Sequence, residues 1–313
     1  MTALLLIAVS VLSACGQVKS TINVVDEQGQ PIQGAEVFFS YVNFKNEENL
    51  TLTTNEKGVA ENTGGAELRI NLHVSKEGYY DTRYDKSEGT SLRKDENHSL
   101  SVVLRRIESP IALYVKKVRK KIPEFGSKCG FDFEIGDWVS PHGNGEKADV
   151  FFAVSEITSK TNDPGGLLKI SFPQVEEGVF KIAPKEGFIF SSEMKLPHRA
   201  SDDGYQKLLK RMEFSYHDES YDRECGYFFR IRQVDTEENE KIFNYVKFNK
   251  DFKFHMGGGK YIREEWRKNS PKEYGMLEFT YYFNPTPNDR NLEFDPERNL
   301  FKKLPHSEQV RKP

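Results

Sequence analysis

Cysteine and tryptophan are scarce in this 313-residue chain, with three of the first and two of the second. No CxxC pair, no Cys/His cluster at zinc spacing and no HExxH occurs, which leaves a structural or catalytic zinc site without a motif. GxSxG is also missing, and His142, His198, His217 and His255 have no recognisable serine or cysteine partner. The stretch Gly257-Gly258-Gly259-Lys260 is not a phosphate loop: Phe254 stands where its first glycine belongs, and Tyr261 where a magnesium-binding hydroxyl is needed. No motif implies a cofactor. Excess charge is lacking too, since 45 Lys plus Arg face 48 Asp plus Glu for a net of -3, so nucleic acid is not expected as a partner. What is present is apolar material, 37% hydrophobic and 12% aromatic residues including 23 Phe and 14 Tyr, which excludes a disordered polymer. At roughly 100 to 200 residues per domain the length predicts two domains.

Residues Met1 to Ala14, MTALLLIAVSVLSA, form an uncharged apolar run that ends at Cys15 and is followed by the polar GQVKST. It is shorter than the about 20 residues of a spanning helix, and no later stretch approaches that length, so it reads as an export signal. No Lys or Arg precedes the run. Leu12-Ser13-Ala14-Cys15 resembles the bacterial lipobox. That resemblance implies a diacylglycerol on the Cys15 sulfur, cleavage just before it, and a chain held on a membrane by its acyl groups without a spanning helix. Residues 15–18 are then a tether, and everything beyond is displayed outside the cytoplasm, in the cell envelope. With Cys15 modified, Cys129 and Cys225 remain; in an oxidising compartment they either form one disulfide or stay reduced, and the spacing leaves both open.

From Lys19 to Arg106 the strand period dominates. Leu68, Ile70, Leu72 and Val74 alternate with polar residues, and the same period gives Ala35, Val37, Phe39 and Tyr41 one face, and Leu100, Val102 and Leu104 another. Turn signals at Asp26-Glu27-Gln28-Gly29, Asn55-Glu56-Lys57-Gly58 and Lys76-Glu77-Gly78 separate them, which predicts an antiparallel sandwich. Ile22-Asn23-Val24-Val25-Asp26, Gly29-Gln30-Pro31-Ile32-Gln33-Gly34-Ala35-Glu36-Val37, Thr54-Asn55-Glu56-Lys57-Gly58-Val59-Ala60 and Val74-Ser75-Lys76-Glu77-Gly78-Tyr79-Tyr80 together resemble the carboxypeptidase regulatory-like domain. The resemblance implies a small transthyretin-like sandwich that serves as an accessory or spacer and brings no catalytic residues. His73 and His98, on predicted outward faces, read as solvated imidazoles.

In the segment 107–126, Ile111, Tyr114, Val115, Val118 and Ile122 recur near helical spacing among Lys116, Lys117, Arg119, Lys120 and Lys121, which predicts a short basic amphipathic helix or linker. Residues 127–313 return to strands, best at Ala148–Ile157, Leu167–Phe172, Gly187–Met194, Tyr227–Val234, Phe243–Phe248 and Met276–Phe283, with Leu208–Phe214 as a weaker candidate. The expected fold class is mainly β: a small sandwich followed by a larger antiparallel one of jelly-roll or concanavalin type, with few helices.

The candidate site lies in Phe131 to Gly145, where Asp132, Glu134, Asp137, Trp138 and His142 fall within eleven positions. Carboxylates accept bonds from sugar hydroxyls, and an indole stacks on the apolar sugar face. The same residues also read as a strand and turn around a core tryptophan, which is the preferred alternative. Near the end, Asp289, Glu293 and Asp295 offer oxygens for calcium, but the segment reads better as a polar strap that packs Leu292 and Phe294 onto the sandwich. Both segments resemble parts of uncharacterised bacterial exported proteins, which implies a domain type and no activity. The expected function is therefore a non-enzymatic, lipid-anchored envelope module that binds a glycan or another envelope protein. The alternatives are an exported polysaccharide hydrolase using paired carboxylates, whose separation leaves no trace in sequence, and a structural assembly component.

Overall fold

The computed structural model describes residues 18–82, 91–93, 96–158, 164–182, 194, 196–214, 225–256 and 275–313. Cys15, the Gly257–Gly259 stretch and the strand expected at Gly187–Met194, apart from Met194 itself, lie outside them. The chain is mainly β, and its described helix is limited to two 3-10 turns, Pro296–Arg298 and His306–Glu308. Contacts divide the chain after Ile107 into two compact units.

The first unit contains β1 (Val18–Val25), β2 (Glu36–Val42), β3 (Glu47–Thr53), β4 (Val59–Gly64), β5 (Arg69–Ser75), β6 (Ser91–Leu92) and β7 (His98–Val103). They make a three-stranded sheet β4-β1-β7 and a four-stranded sheet β3-β2-β5-β6. Alternation explains the layering: Ile22 and Val24 of β1, Val37, Phe39 and Tyr41 of β2, Ile70, Leu72 and Val74 of β5, and Val102 of β7 share one buried cluster. Two expectations are corrected. Leu68 is 45% exposed, because it precedes β5 and lies outside the ladder that turns its neighbours inward. The β1–β7 pair is parallel, because β7 returns to β1 by a long crossover rather than a hairpin. His73 faces Asp81 at 3.8 Å, and His98 shares a hydrogen bond with the Arg93 carbonyl at 2.7 Å.

The second unit holds β8 (Tyr114–Lys121), β9 (Cys129–Asp132), β10 (Asp137–Trp138), β11 (Val150–Thr158), β12 (Pro164–Ser171), β13 (Gly178–Ile182), β14 (Leu208–Phe214), β15 (Gly226–Asp235), β16 (Lys241–Phe248), β17 (Lys253–Met256) and β18 (Gly275–Asn284). A five-stranded sheet runs β10-β9-β11-β12-β14. In the six-stranded sheet, β13, β15 and β16 lead to β18, whose one side pairs with β16 and then β17, and whose other side pairs with β8. All these pairs are antiparallel. The shared core is aromatic: Phe131, Phe133, Phe152, Phe229, Phe248, Phe252, Phe279 and Tyr281 pack mostly edge to face or tilted, with Phe229 and Phe248 centroids 4.4 Å apart.

The basic segment is an edge strand, not a helix. Val118 and Ile122 face the main core while Val115 turns the other way, into a second cluster with Leu113, Tyr282 and Phe294. Apolar residues on both faces of one strand mimic helical spacing. The lysines suit an edge: Lys117, Arg119 and Lys121 are exposed, whereas Lys116 and Lys120 point inward to Glu308 at 3.0 Å and Asp137 at 2.7 Å. Such charges discourage pairing with another chain.

Cys129 and Cys225 are both buried and form no disulfide. They enter the core from opposite sheets. Cys129 Sγ lies 3.7 Å from the Glu124 carbonyl and Cys225 Sγ 3.6 Å from the Tyr227 hydroxyl. Burial pushes the Cys129 thiol up. The closing strap buries Leu292 and Phe294 fully, and the Glu293 carboxylate accepts hydrogen bonds from the Glu108 and Ser109 amides.

Candidate functional site

β9 and β10 form a hairpin whose loop is Phe133-Glu134-Ile135-Gly136. Gly136 is needed here twice over: its φ is +71°, and a Cβ would come within 3.0 Å of both Lys116 Cδ and the Tyr281 hydroxyl. Asp132 ends β9 and organises the loop. Its Oδ1 accepts from the Glu134 and Ile135 amides at 3.0 and 3.2 Å, and its Oδ2 from the Glu146 and Lys147 amides at 3.0 and 3.1 Å. Asp149, just before β11, accepts from the Phe133 amide at 2.8 Å.

The carboxylates of Asp132, Glu134 and Asp149 converge on Arg232, which reaches across from β15 in the other sheet. Its Nε donates to Asp149 Oδ1 at 2.6 Å and its Nη1 to Glu134 Oε2 at 2.6 Å. Nη2 donates to Asp149 Oδ2 at 3.1 Å and Asp132 Oδ1 at 3.3 Å. The Phe283 ring backs the guanidinium at 4.8 Å. Arg232 sits in the irregularity of the β15–β16 ladder between Ile231 and Val234 with φ of 55°, a backbone state that aims one side chain away from the regular pleat. Burial disfavours its charge, but Asp149 and Glu134 outweigh this and hold its pKa above the usual value.

Burial pushes the Asp149 carboxyl up to about 6, despite the opposing bonds from Arg232 and the Phe133 amide. Asp149 shares its guanidinium with a second buried carboxylate, Asp132, whose charge adds to the cost of ionising it in a dry place. Between 3.8 and about 6 the folded chain therefore holds more protons than the unfolded one. Its stability is expected to fall as pH rises through this window, by on the order of 3 kcal/mol from this group, and to level off above it. Thermal melts across the window, compared with those of Asp149→Asn, check this; an unchanged slope in the variant overturns the assignment.

The other nominated residues lie apart from this cluster. Asp137 Oδ1 accepts from Lys120 at 2.7 Å and from the Trp138 amide at 2.8 Å, and its Oδ2 accepts from Asn144. Burial opposes ionisation here, but these bonds prevail and hold its pKa below the usual value. The Trp138 indole is 4% exposed, edge-on to Phe131 and Phe152, with Nε1 donating to the Lys121 carbonyl at 3.0 Å. It is a core side chain and not a solvent-facing platform for a sugar. His142 is exposed on the following turn.

Sequence reasoning nominated Asp132 and Glu134 but missed Arg232 and Asp149, which lie 83 positions apart. One signal was present: Arg230 and Arg232 interrupt the apolar strand Tyr227–Val234, and a cation on a half-buried strand needs a counter-charge. Arg230 is satisfied elsewhere, between the Tyr205 and Phe243 rings at 4.6 Å each and on the Glu176 carbonyl.

No protein-family model matches the chain, and no curated protein matches it. The shaft pilin SpaA of Lactobacillus rhamnosus GG aligns at 9% identity and a TM-score of 0.21, covering 75% of this chain and 94% of the pilin. A protein of Bacteroides uniformis described as a "putative carbohydrate binding protein" aligns at 8% identity and a TM-score of 0.19, covering 87% and 98%. Likeness at this level transfers neither fold nor function.

Proposed function

We propose that this chain is an exported, non-enzymatic module of the cell envelope, tethered through a lipid on Cys15, whose first unit is a spacer and whose second unit binds a glycan. The apolar Met1–Ala14 run and the Leu12-Ser13-Ala14-Cys15 pattern support the anchor. One observation favours binding over hydrolysis: the acidic residues a hydrolase would draw on are engaged. Asp132 and Asp149 are 2% and 1% exposed, and both share one guanidinium with Glu134. Glycoside cleavage needs two carboxylates that flank a bond across an open gap of about 5 to 9.5 Å.

The test takes the full chain produced in a bacterial host. Mass analysis is expected to find diacylglycerol on Cys15 as the first residue, and Cys15→Ala is expected to shift the protein out of the membrane fraction. An uncut, unmodified chain in the cytosol refutes the anchor. On a glycan array the protein is expected to bind without releasing reducing ends. Release that disappears in Glu134→Gln establishes the hydrolase instead, and no glycan bound with a co-purifying envelope protein favours assembly.

A further inference from the structure

The outer face of the five-stranded sheet carries a row of lysines that no charge among the described residues pairs with. Cys129, Phe152, Val154, Leu168 and Ile170 point into the core, so Ala153 and Lys169 point outward, and Lys210 does so beside the inward Leu209. Lys210 of β14 is the direct cross-strand partner of Lys169 in β12, and Lys169 is the partner of Ala153 in β11. Continuing the β11–β9 register one step beyond Phe152 and Cys129 sets Lys128 opposite Ala153. Lys128 Nζ lies 5.9 Å from the centre of the outward Phe151 ring, which places its charge on this face. Three exposed lysines thus lie in one row across four strands, a span of about 14 Å at the usual strand spacing.

Two features make this row unlike an ordinary solvated surface. Like charges directly opposite on neighbouring strands destabilise a sheet, and among the described residues none of the three lysines is in an ion pair. The rows on either side are largely apolar: Met212, Leu167 and Ser155 on one, Leu208, Ser171 and Phe151 on the other, with Met212 51% and Leu208 40% exposed. The pattern is a linear cationic track with apolar shoulders.

We infer that this face binds an acidic polysaccharide laid across the strands, with its anionic groups on Lys210, Lys169 and Lys128 and its apolar sugar faces on Leu208, Met212 and Phe151. This rests on the glycan-binding reading above and names the ligand's class and place. A bilayer fits less well, since its cations should rim an apolar apex, whereas here the cations form the centre line. Nucleic acid fits less well too, since Phe151, the aromatic ring on this face among the described side chains, is half-buried beside Lys128.

The experiment measures binding of the full chain to polygalacturonate, to neutral dextran and to phosphatidylglycerol vesicles. Polygalacturonate is expected to bind and dextran not. Affinity is expected to fall about tenfold or more when salt rises from about 0.05 to 0.5 M, because exposed charges are screened. Lys169→Gln with Lys210→Gln is expected to weaken binding at least tenfold while leaving the melting temperature unchanged or raised. Lys117→Gln with Lys121→Gln, the same charge removed from edge strand β8, is expected to change it less than twofold. If dextran binds and the Lys169/Lys210 variant retains full affinity, this inference falls while the glycan reading stands. Lysine-dependent binding to vesicles alone, or no binding to either glycan, overturns both.

Discussion

Arg232→Met is expected to destabilise the second unit by about 3–5 kcal/mol, the range found when one member of a buried charge cluster is removed. The side chain is 13% exposed and joins both sheets, so its loss leaves the Asp132 and Asp149 carboxylates buried without their shared counter-charge. The carboxylates keep their amide donors, which is why partial rather than complete loss of structure is expected. Arg232→Lys should fall between wild type and Met, because one ammonium cannot reproduce a fork that meets three carboxylates. Denaturant unfolding followed by tryptophan fluorescence reads the effect, since Trp138 lies in the core of the second unit. A loss under about 1 kcal/mol would mean that the cluster contributes little. Combining Arg232→Met with Asp149→Asn should recover part of the loss, as expected of groups in direct contact.

Trp138→Ala is expected to destabilise the same unit by about 3–5 kcal/mol, the range for emptying a buried aromatic site. The indole meets Phe131 at 5.4 Å and Phe152 at 5.9 Å, both edge to face, so the void opens inside the aromatic core. At about 2–4 °C per kcal/mol the melting temperature should drop by roughly 10 °C. Trp138→Phe keeps most of the packing but loses the bond to the Lys121 carbonyl, a smaller effect of about 1 kcal/mol. A sugar platform predicts the opposite pattern, with affinity lost and melting unchanged. Melting curves for both variants separate the two.

Much of the strand layout was legible, because a strand with one dry face writes its period into the chain. Tyr227–Val234, Phe243–Phe248 and Met276–Phe283 lie within or almost coincide with β15, β16 and β18, and Leu292 and Phe294 pack where the polar strap placed them. The basic segment misled because β8 buries residues on both faces, which erases the period-two signature. The acidic segment was half legible: clustering drew attention to Asp132 and Glu134, but their partners arrive from 17 positions away and from another sheet.

The sequence by itself determined the β class and the apolar run that ends at Cys15, and it predicts the two-part organisation, since each depends on composition or on spacing between near neighbours. Tertiary structure alone decided that Trp138 is core, that Arg232 gathers three carboxylates, and that Lys128, Lys169 and Lys210 share a row. Those pairings follow from strand order and register, which are fixed by how two sheets bury their aromatic faces together and leave no local mark on the chain.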